Sequence, residues 1–287
     1  MELDKIITGD SAVVLQSFPP DCIDLTVTSP PYDNLRTYNG FVFDFETIAK
    51  ELYRVTKPGG VVVWVVGDAT VNGSETGTSF RQALFFKECG FNLHDTMIYQ
   101  KYGSPFPNSN RYYQVFEYMF VLSKGKPKTA NLLKQKATGH GKSFSNTRDV
   151  DGNWKPMKYK MGHAERVRDN VWKIAAHARN ATKDIEAYKH PAIFPEALAN
   201  DHILTWSNEN DTVLDCFCGS GTTPKMAKLL NRHYIGIEVS AEYVALANGR
   251  LAQVERGLTP REPDKRDSSP SQAFSQPEFL SDLEGLS

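Results

Sequence analysis

The chain has 287 residues, with 33 Lys and Arg against 34 Asp and Glu, a net charge of -1 and 40% hydrophobic residues, enough for one α/β core with a smaller embedded region. No window approaches the roughly 18 apolar residues that span a bilayer, and the opening MELDKIITGD has no basic segment followed by a long apolar stretch, so a soluble, cytoplasmic protein is expected. Cys22, Cys89, Cys216 and Cys218 form no paired C-x-x-C knuckles and no histidine cluster accompanies them, which argues for reduced thiols and against a metal site.

From Lys5 to Ser123 short β-rich runs alternate with helical patterns: IITG, CIDLTVT, FETIAKELYRVTKPGG, VVVWVV, FRQALFFKECG, HDTMIYQK and EYMFVLSK. Apolar runs of this length between amphipathic segments predict buried, mostly parallel strands joined by helices. In the first helical pattern Ile48, Leu52 and Val55 recur at helical spacing, and Lys-Pro-Gly-Gly is expected to stop the helix before the valine strand.

Residues 124–189 lose this rhythm. They are rich in Lys, Gly, Asn, Ser and Thr, carry isolated aromatics at Phe144, Trp154, Tyr159 and Trp172, and hold about ten more Lys and Arg than Asp and Glu. The segment reads as an insertion on the sheet rather than part of it, and as the place that attracts a polyanion. Lys142, Arg148, Lys155, Lys158, Lys160, Arg166, Arg168 and Lys173 are its candidate phosphate contacts.

The α/β pattern resumes over 190–257, with HPAIFPEALANDHILTWS as a helix, DTVLDCFCGSGTT as a strand and glycine turn, PKMAKLLN as a helix, HYIGIEVS as a strand and AEYVALANGRLAQV as a helix. The expected division is therefore 1–123 and 190–257 as two halves of one domain, 124–189 between them, and 258–287 as a mobile tail rich in Pro, Ser and charge. His190, before Pro191, is expected to order the turn into its helix; no histidine spacing demands a metal or a general base.

In TVLDCFCGSGTT, Asp215 ends a strand, and Gly219 and Gly221 stand in the turn that opens the next helix, where positive φ and free N–H groups suit a ligand. About 20 residues on, Glu238 ends the following strand, where a carboxylate can accept from two ribose hydroxyls. The turn lacks the third glycine of G-x-G-x-x-G, which disfavours a dinucleotide and favours a nucleoside cofactor without a pyrophosphate, S-adenosylmethionine above all.

TSPPY also follows a strand. Two successive prolines fix φ and leave the Ser29 and Pro30 carbonyls as rigid acceptors for an exocyclic amino group. Ser29 adds a hydroxyl, and Tyr32 offers a ring on which an extruded base can stack.

With Ser29-Pro30-Pro31-Tyr32 matching (D/N/S)-P-P-(Y/F/W), and Asp215 to Thr223 matching D-x-F-x-G-x-G-T-T, the sequence resembles the DNA amino-methyltransferases. The catalytic motif precedes the basic segment and the cofactor motif follows it, as in the circularly permuted β group of that family. The resemblance covers about Asp4 to Leu251 and implies a Rossmann-like, doubly wound α/β fold with a target-recognition insertion at 124–189. It implies S-adenosylmethionine as cofactor, bordered by Phe194, Asp215, Phe217, Gly219, Gly221, Thr222, Thr223 and Glu238, with Asp10 near the adenine. Ser29, Pro30, Pro31 and Tyr32 would act on the base, and Arg36 and Tyr38 would close over it or fill its place in double-stranded DNA. Cys216 stands where the family often has proline.

In that family Ser at the first motif position leans toward cytosine N4 and Asp toward adenine N6, so N4-cytosine methylation is expected, with adenine N6 as the alternative and an inactive DNA-binding regulator as the non-enzymatic one. Cytosine C5 chemistry is disfavoured, since no cysteine follows a proline. A cognate restriction endonuclease, and monomer against homodimer, stay open.

Overall fold

The computed structural model describes residues 1–31, 43–102, 110–137, 146–156, 164–175, 182, 184, 186–187, 190 and 194–258. In chain order the elements are β1 (Lys5–Thr8), α1 (Ser11–Val14), β2 (Ile23–Thr28), α2 (Phe45–Val55), β3 (Thr56–Val66), β4 (Thr70–Val71), β5 (Ser74–Glu75), α3 (Thr78–Glu88), β6 (Asn92–Tyr102), β7 (Phe116–Ser123), β8 (Lys134–Lys136), β9 (Asn146–Arg148), β10 (Trp154–Pro156), β11 (Glu165–Val167), β12 (Val171–Ala175), α4 (Glu196–Trp206), β13 (Thr212–Asp215), α5 (Thr222–Leu229), β14 (His233–Glu238) and α6 (Ala241–Ala252).

Eight strands form one sheet in the order β1-β14-β13-β2-β3-β7-β6-β12. Only β7 runs antiparallel to its neighbours in it. The valine run of β3 is buried on both faces, as a central strand requires: Val62, Trp64 and Val66 face α2 and α3, while Val61, Val63 and Val65 face α4 and α5. Helices thus cover both faces, and the sheet is doubly wound and mostly parallel, as expected.

Two expectations are corrected. Lys-Pro-Gly-Gly does not separate helix from strand: α2 ends where the Thr56 hydroxyl bonds the Leu52 carbonyl at 2.6 Å, and strand pairing begins at Thr56 itself. The next four residues bulge out, since Ile23 pairs with Thr56 but Leu25 already pairs with Val61. Gly60 is needed there, because a Cβ would stand 2.9 Å from the Asp24 carbonyl oxygen. The basic segment, too, is not wholly outside the sheet. Val171–Ala175 pairs in parallel with Ile98–Tyr102 as the edge strand, burying Trp172 and Ile174 and leaving Lys173 exposed.

Helix α4 is buried nearly all round, including Asn200, Asp201, His202 and Thr205. Its outer face is covered by the basic segment: the Asn131 N–H bonds the Thr205 carbonyl at 2.8 Å, Arg168 pairs with Asp201 at 2.7 Å, and Trp172 stacks on His202 with centroids 4.5 Å apart.

Candidate functional site

The chain leaves β2 in one direction across the sheet, to β3, and β13 in the other, to β14. The crevice beyond the carboxyl ends of β2 and β13 is therefore a topological switch point, where open α/β sheets bind ligands. Both unusual segments of the sequence end there. In register along the same edge, Thr8 of β1 pairs with Glu238 of β14, and Leu214 of β13 pairs with Thr26 of β2. Asp10, Glu238, Asp215 and Ser29 accordingly follow or close four neighbouring strands.

The two motifs are joined directly. Thr28, fully buried and one residue before Ser29, donates its hydroxyl to Asp215 Oδ1 at 2.6 Å, and the Phe217 N–H donates to the same oxygen at 3.1 Å. Burial nevertheless dominates the carboxyl and pushes its pKa up to about 6, with the Glu238 charge adding to the rise. From the β1 side the Ser11 hydroxyl donates to the Cys216 carbonyl. Pro30 is buried and Ser29 and Pro31 half-buried, so the turn presents a partly enclosed rim.

The glycine turn has the conformation its residues predict, with φ of +48° at Gly219 and +78° at Gly221. A side chain has no room at either: a Cβ on Gly219 would stand 2.9 Å from His190 Nε2, and one on Gly221 would stand 2.7 Å from the Ala247 Cβ. Glu238 bonds the Gly219 N–H through Oε2 and the Ser240 N–H through Oε1, both at 2.9 Å. Each oxygen keeps a second lone pair, so the carboxylate is oriented yet still able to accept from a ribose diol. That donor and acceptor set fits a nucleoside cofactor.

Asp10 caps α1 through the Ala12 N–H at 2.7 Å. Phe217 packs edge-on against Phe43 and Trp64, on the α2 side of the sheet. Phe194 packs on the opposite side, with the α4 cluster. Thr222 and Thr223 open α5 and are buried. Cys216 and Cys218 are fully buried, and burial together with the Asp215 charge pushes both thiols well above the ordinary range. Neither is available as a thiolate nucleophile.

Of the predicted DNA contacts, Arg148 lies over the Trp154 ring at 4.7 Å on the β9–β10 hairpin, Lys155 pairs with Asp149 at 3.2 Å, Arg166 is held by Asp169 on its own surface, and Lys173 is exposed on the edge strand. Arg168 is the most enclosed of them. Its side chain is 13% exposed, ion-paired with Asp201 and set over Trp172 at 4.7 Å, which makes it an internal anchor. Tyr32, Arg36, Tyr38, Lys142, Lys158 and Lys160 lie outside the described residues.

Sequence reasoning missed Thr28 and Arg250. Thr28 could have been found as the inward residue next to the catalytic turn. Arg250 falls on the buried stripe of α6 with Val244, Ala247 and Leu251, and an arginine on an apolar stripe implies buried partners.

No helix among the described residues is long and apolar enough to cross a membrane. The model of the N6/N4 DNA methylase family matches residues 23–249. The orphan methyltransferase M.BamHII of Bacillus amyloliquefaciens is 60% identical over 240 residues, covering 80% of this chain and 89% of its own. Among solved structures, the cytosine-N4-specific PvuII DNA methyltransferase gives a TM-score of 0.64 at 22% identity over 85% of either chain, a likeness of fold. M1.HpyAVI, solved with S-adenosylmethionine, gives 0.56 at 26% identity over 86% of this chain and 99% of its own. Together with the two motifs meeting at one crevice, these matches place the chain in the N6/N4 family of DNA methyltransferases, which use S-adenosylmethionine.

Proposed function

We propose that the chain methylates the exocyclic N4 of a cytosine flipped out of a specific double-stranded DNA sequence. The observation that supports this reading most is the 2.6 Å bond from Thr28 to Asp215, which ties the Ser29-Pro30-Pro31 turn to the glycine turn. An amino group presented at the first and a methyl group held at the second then share one crevice, and in-line positioning is the main catalytic need. Ser29 at the first motif position is what favours cytosine over adenine.

S-adenosylmethionine supplies the electrophilic methyl group, with Glu238 orienting the ribose and the Gly219–Thr223 turn holding the rest. An amino nitrogen conjugated to a base is planar and a poor nucleophile. The Ser29 hydroxyl and Pro30 carbonyl, as acceptors, pull its hydrogens out of the ring plane and free the lone pair. The nitrogen would form its new bond to the methyl carbon as the methyl–sulfur bond breaks, the thioether leaving with that electron pair and the surplus nitrogen proton passing to solvent water. Tyr32 stacks on the flipped ring. Arg148, Lys155, Arg166 and Lys173 supply phosphate contacts, and residues 124–189 read the target. The name of the M.BamHII relative favours action without a partner nuclease.

The test is mass spectrometry of nucleosides from DNA incubated with the protein and isotopically labelled S-adenosylmethionine, with Ser29→Ala as control. Labelled N4-methylcytosine, lost in the variant, is expected. Labelled N6-methyladenine would keep the chemistry and overturn the base, and no labelled base on DNA of varied sequence would overturn the activity.

A further inference from the structure

We propose that Arg250 is a positioning residue for the cofactor turn, fixing the Ser220–Gly221 peptide from behind through a buried four-charge cluster. The guanidinium side chain is 0% exposed. Its Nη1 donates to the Ser220 carbonyl, to Ser220 Oγ at 3.1 Å and to Thr222 Oγ1 at 3.3 Å, while Nε donates to Asp184 Oδ2 at 2.7 Å and Nη2 reaches Glu196 Oε1 at 3.4 Å.

The need for such a clamp follows from the turn itself. Ser220 lies between two glycines at positive φ, and a peptide plane beside glycine rotates with little steric resistance. This plane is held from both ends: its carbonyl by Arg250, and its Gly221 N–H by the Cys218 carbonyl at 2.7 Å. Its orientation sets which way the neighbouring N–H groups point at the start of α5.

The cluster is balanced. Lys225 pairs with the same two carboxylates, Asp184 at 3.3 Å and Glu196 at 2.8 Å, and Thr182 donates to Glu196 at 2.7 Å. Burial works to raise the Asp184 carboxyl, but the Arg250 hydrogen bond and the charges of Arg250 and Lys225 hold it below its ordinary value. Arg250 and Lys225 thus share their carboxylates and differ in one respect: the guanidinium also grips Ser220 and Thr222, and the ammonium bonds only the carboxylates. A planar fork with five donors can serve both sets of acceptors at once, which a lysine cannot.

That difference gives the experiment, read as binding of S-adenosylmethionine by calorimetry and therefore independent of which base is methylated. Arg250→Met and Lys225→Met should both lower the melting temperature, but only Arg250→Met should weaken cofactor binding by about tenfold or more. The KM for DNA and the turnover at saturating cofactor should change little. Arg250→Lys, which keeps the charge and loses the fork, should recover the melting temperature more than the affinity. Equal loss of affinity in Lys225→Met, or wild-type affinity in Arg250→Met, would overturn the proposal. If Arg250→Met does not fold, Arg250→Lys decides alone, since wild-type cofactor affinity in that variant refutes a role for the fork.

Discussion

Cofactor binding should be coupled to the ionisation of Asp215. In the protein without cofactor the carboxyl titrates at about 6, raised first by burial and further by the Glu238 charge, against the lowering bonds from Thr28 and the Phe217 N–H. The sign follows from the shift. The unfolded chain ionises this group near its ordinary 3.8, so folding of the empty protein loses up to about 3 kcal/mol as pH rises through that window, at 1.36 kcal/mol per pKa unit. S-adenosylmethionine carries a sulfonium and a net positive charge, and binding at the site proposed beside Asp215 would favour the ionised form. Affinity should therefore fall about tenfold between pH 7 and pH 5, and binding at pH 6 should release about half a proton.

Thr28→Val removes one charge-assisted donor of about 1.5–3 kcal/mol, which raises the Asp215 pKa by roughly one unit or more. The midpoint of the affinity profile should move from near 6 to about 7 or above, with Thr28→Ser restoring it. Calorimetry at several pH values, in two buffers of different ionisation enthalpy, measures both affinity and proton release. Glu238 and His190 also stand at the turn, but their contributions do not depend on the Thr28 hydroxyl. A flat profile from pH 5 to pH 7, or an unmoved midpoint in Thr28→Val, would refute the coupling.

Further outcomes are expected at five positions. His202 is fully buried, and its pKa is lowered to about 3 by burial and by the Arg168 charge. The unfolded state binds more protons below about 6.5, so the His202 contribution falls by at most about 5 kcal/mol as pH is lowered, opposite in sign to that of Asp215, and the urea-unfolding stability of His202→Leu relative to wild type should rise from pH 6 to pH 4. Gly221→Ala forces a Cβ against the Ala247 Cβ at 2.7 Å in a left-handed conformation, costing about 2–4 kcal/mol and most cofactor binding. Gly249→Ala in α6 meets nothing within 4 Å and should gain up to about 1 kcal/mol in the same melts. Arg168→Met should cost about 3–5 kcal/mol by removing the cation paired with the buried Asp201 carboxylate, without changing the salt dependence of DNA binding. Lys173→Met should instead lower that salt slope by about one and leave stability alone.

The sheet was legible because its central strands are buried on both faces. VVVWVV reads as a continuous apolar run and CIDLTVT as a β-branched one, and the two motifs each follow such a strand directly. The edge strand was not. Val171–Ala175 alternates exposed and buried residues, and Trp172 was read as an isolated aromatic because the strand is five residues long and flanked by polar chain. The glycine turn and Glu238 were legible as residue types with a positional meaning, whereas the partner of Arg168 was not, because net charge along a segment does not say which arginine meets a buried carboxylate 33 residues later.

Helix α4 links Arg168 to Arg250. Asp201 near its middle holds Arg168 of the basic segment, and Glu196 in its first turn holds Arg250, which grips the cofactor turn. The two ion pairs stand five residues apart, about 7.5 Å along a helix. Its carboxyl end receives the Asn131 N–H from the start of the basic segment. The helix is nearly all buried, so it cannot tilt at one end without disturbing the other. Arg168, Asp201, Glu196 and Arg250 therefore make a short, packed connection between the basic segment and the Ser220–Gly221 peptide. The Ser29–Pro31 turn is tied from the other side through Thr28 to Asp215, and the crevice is bounded by one turn tied to the sheet and one tied to α4.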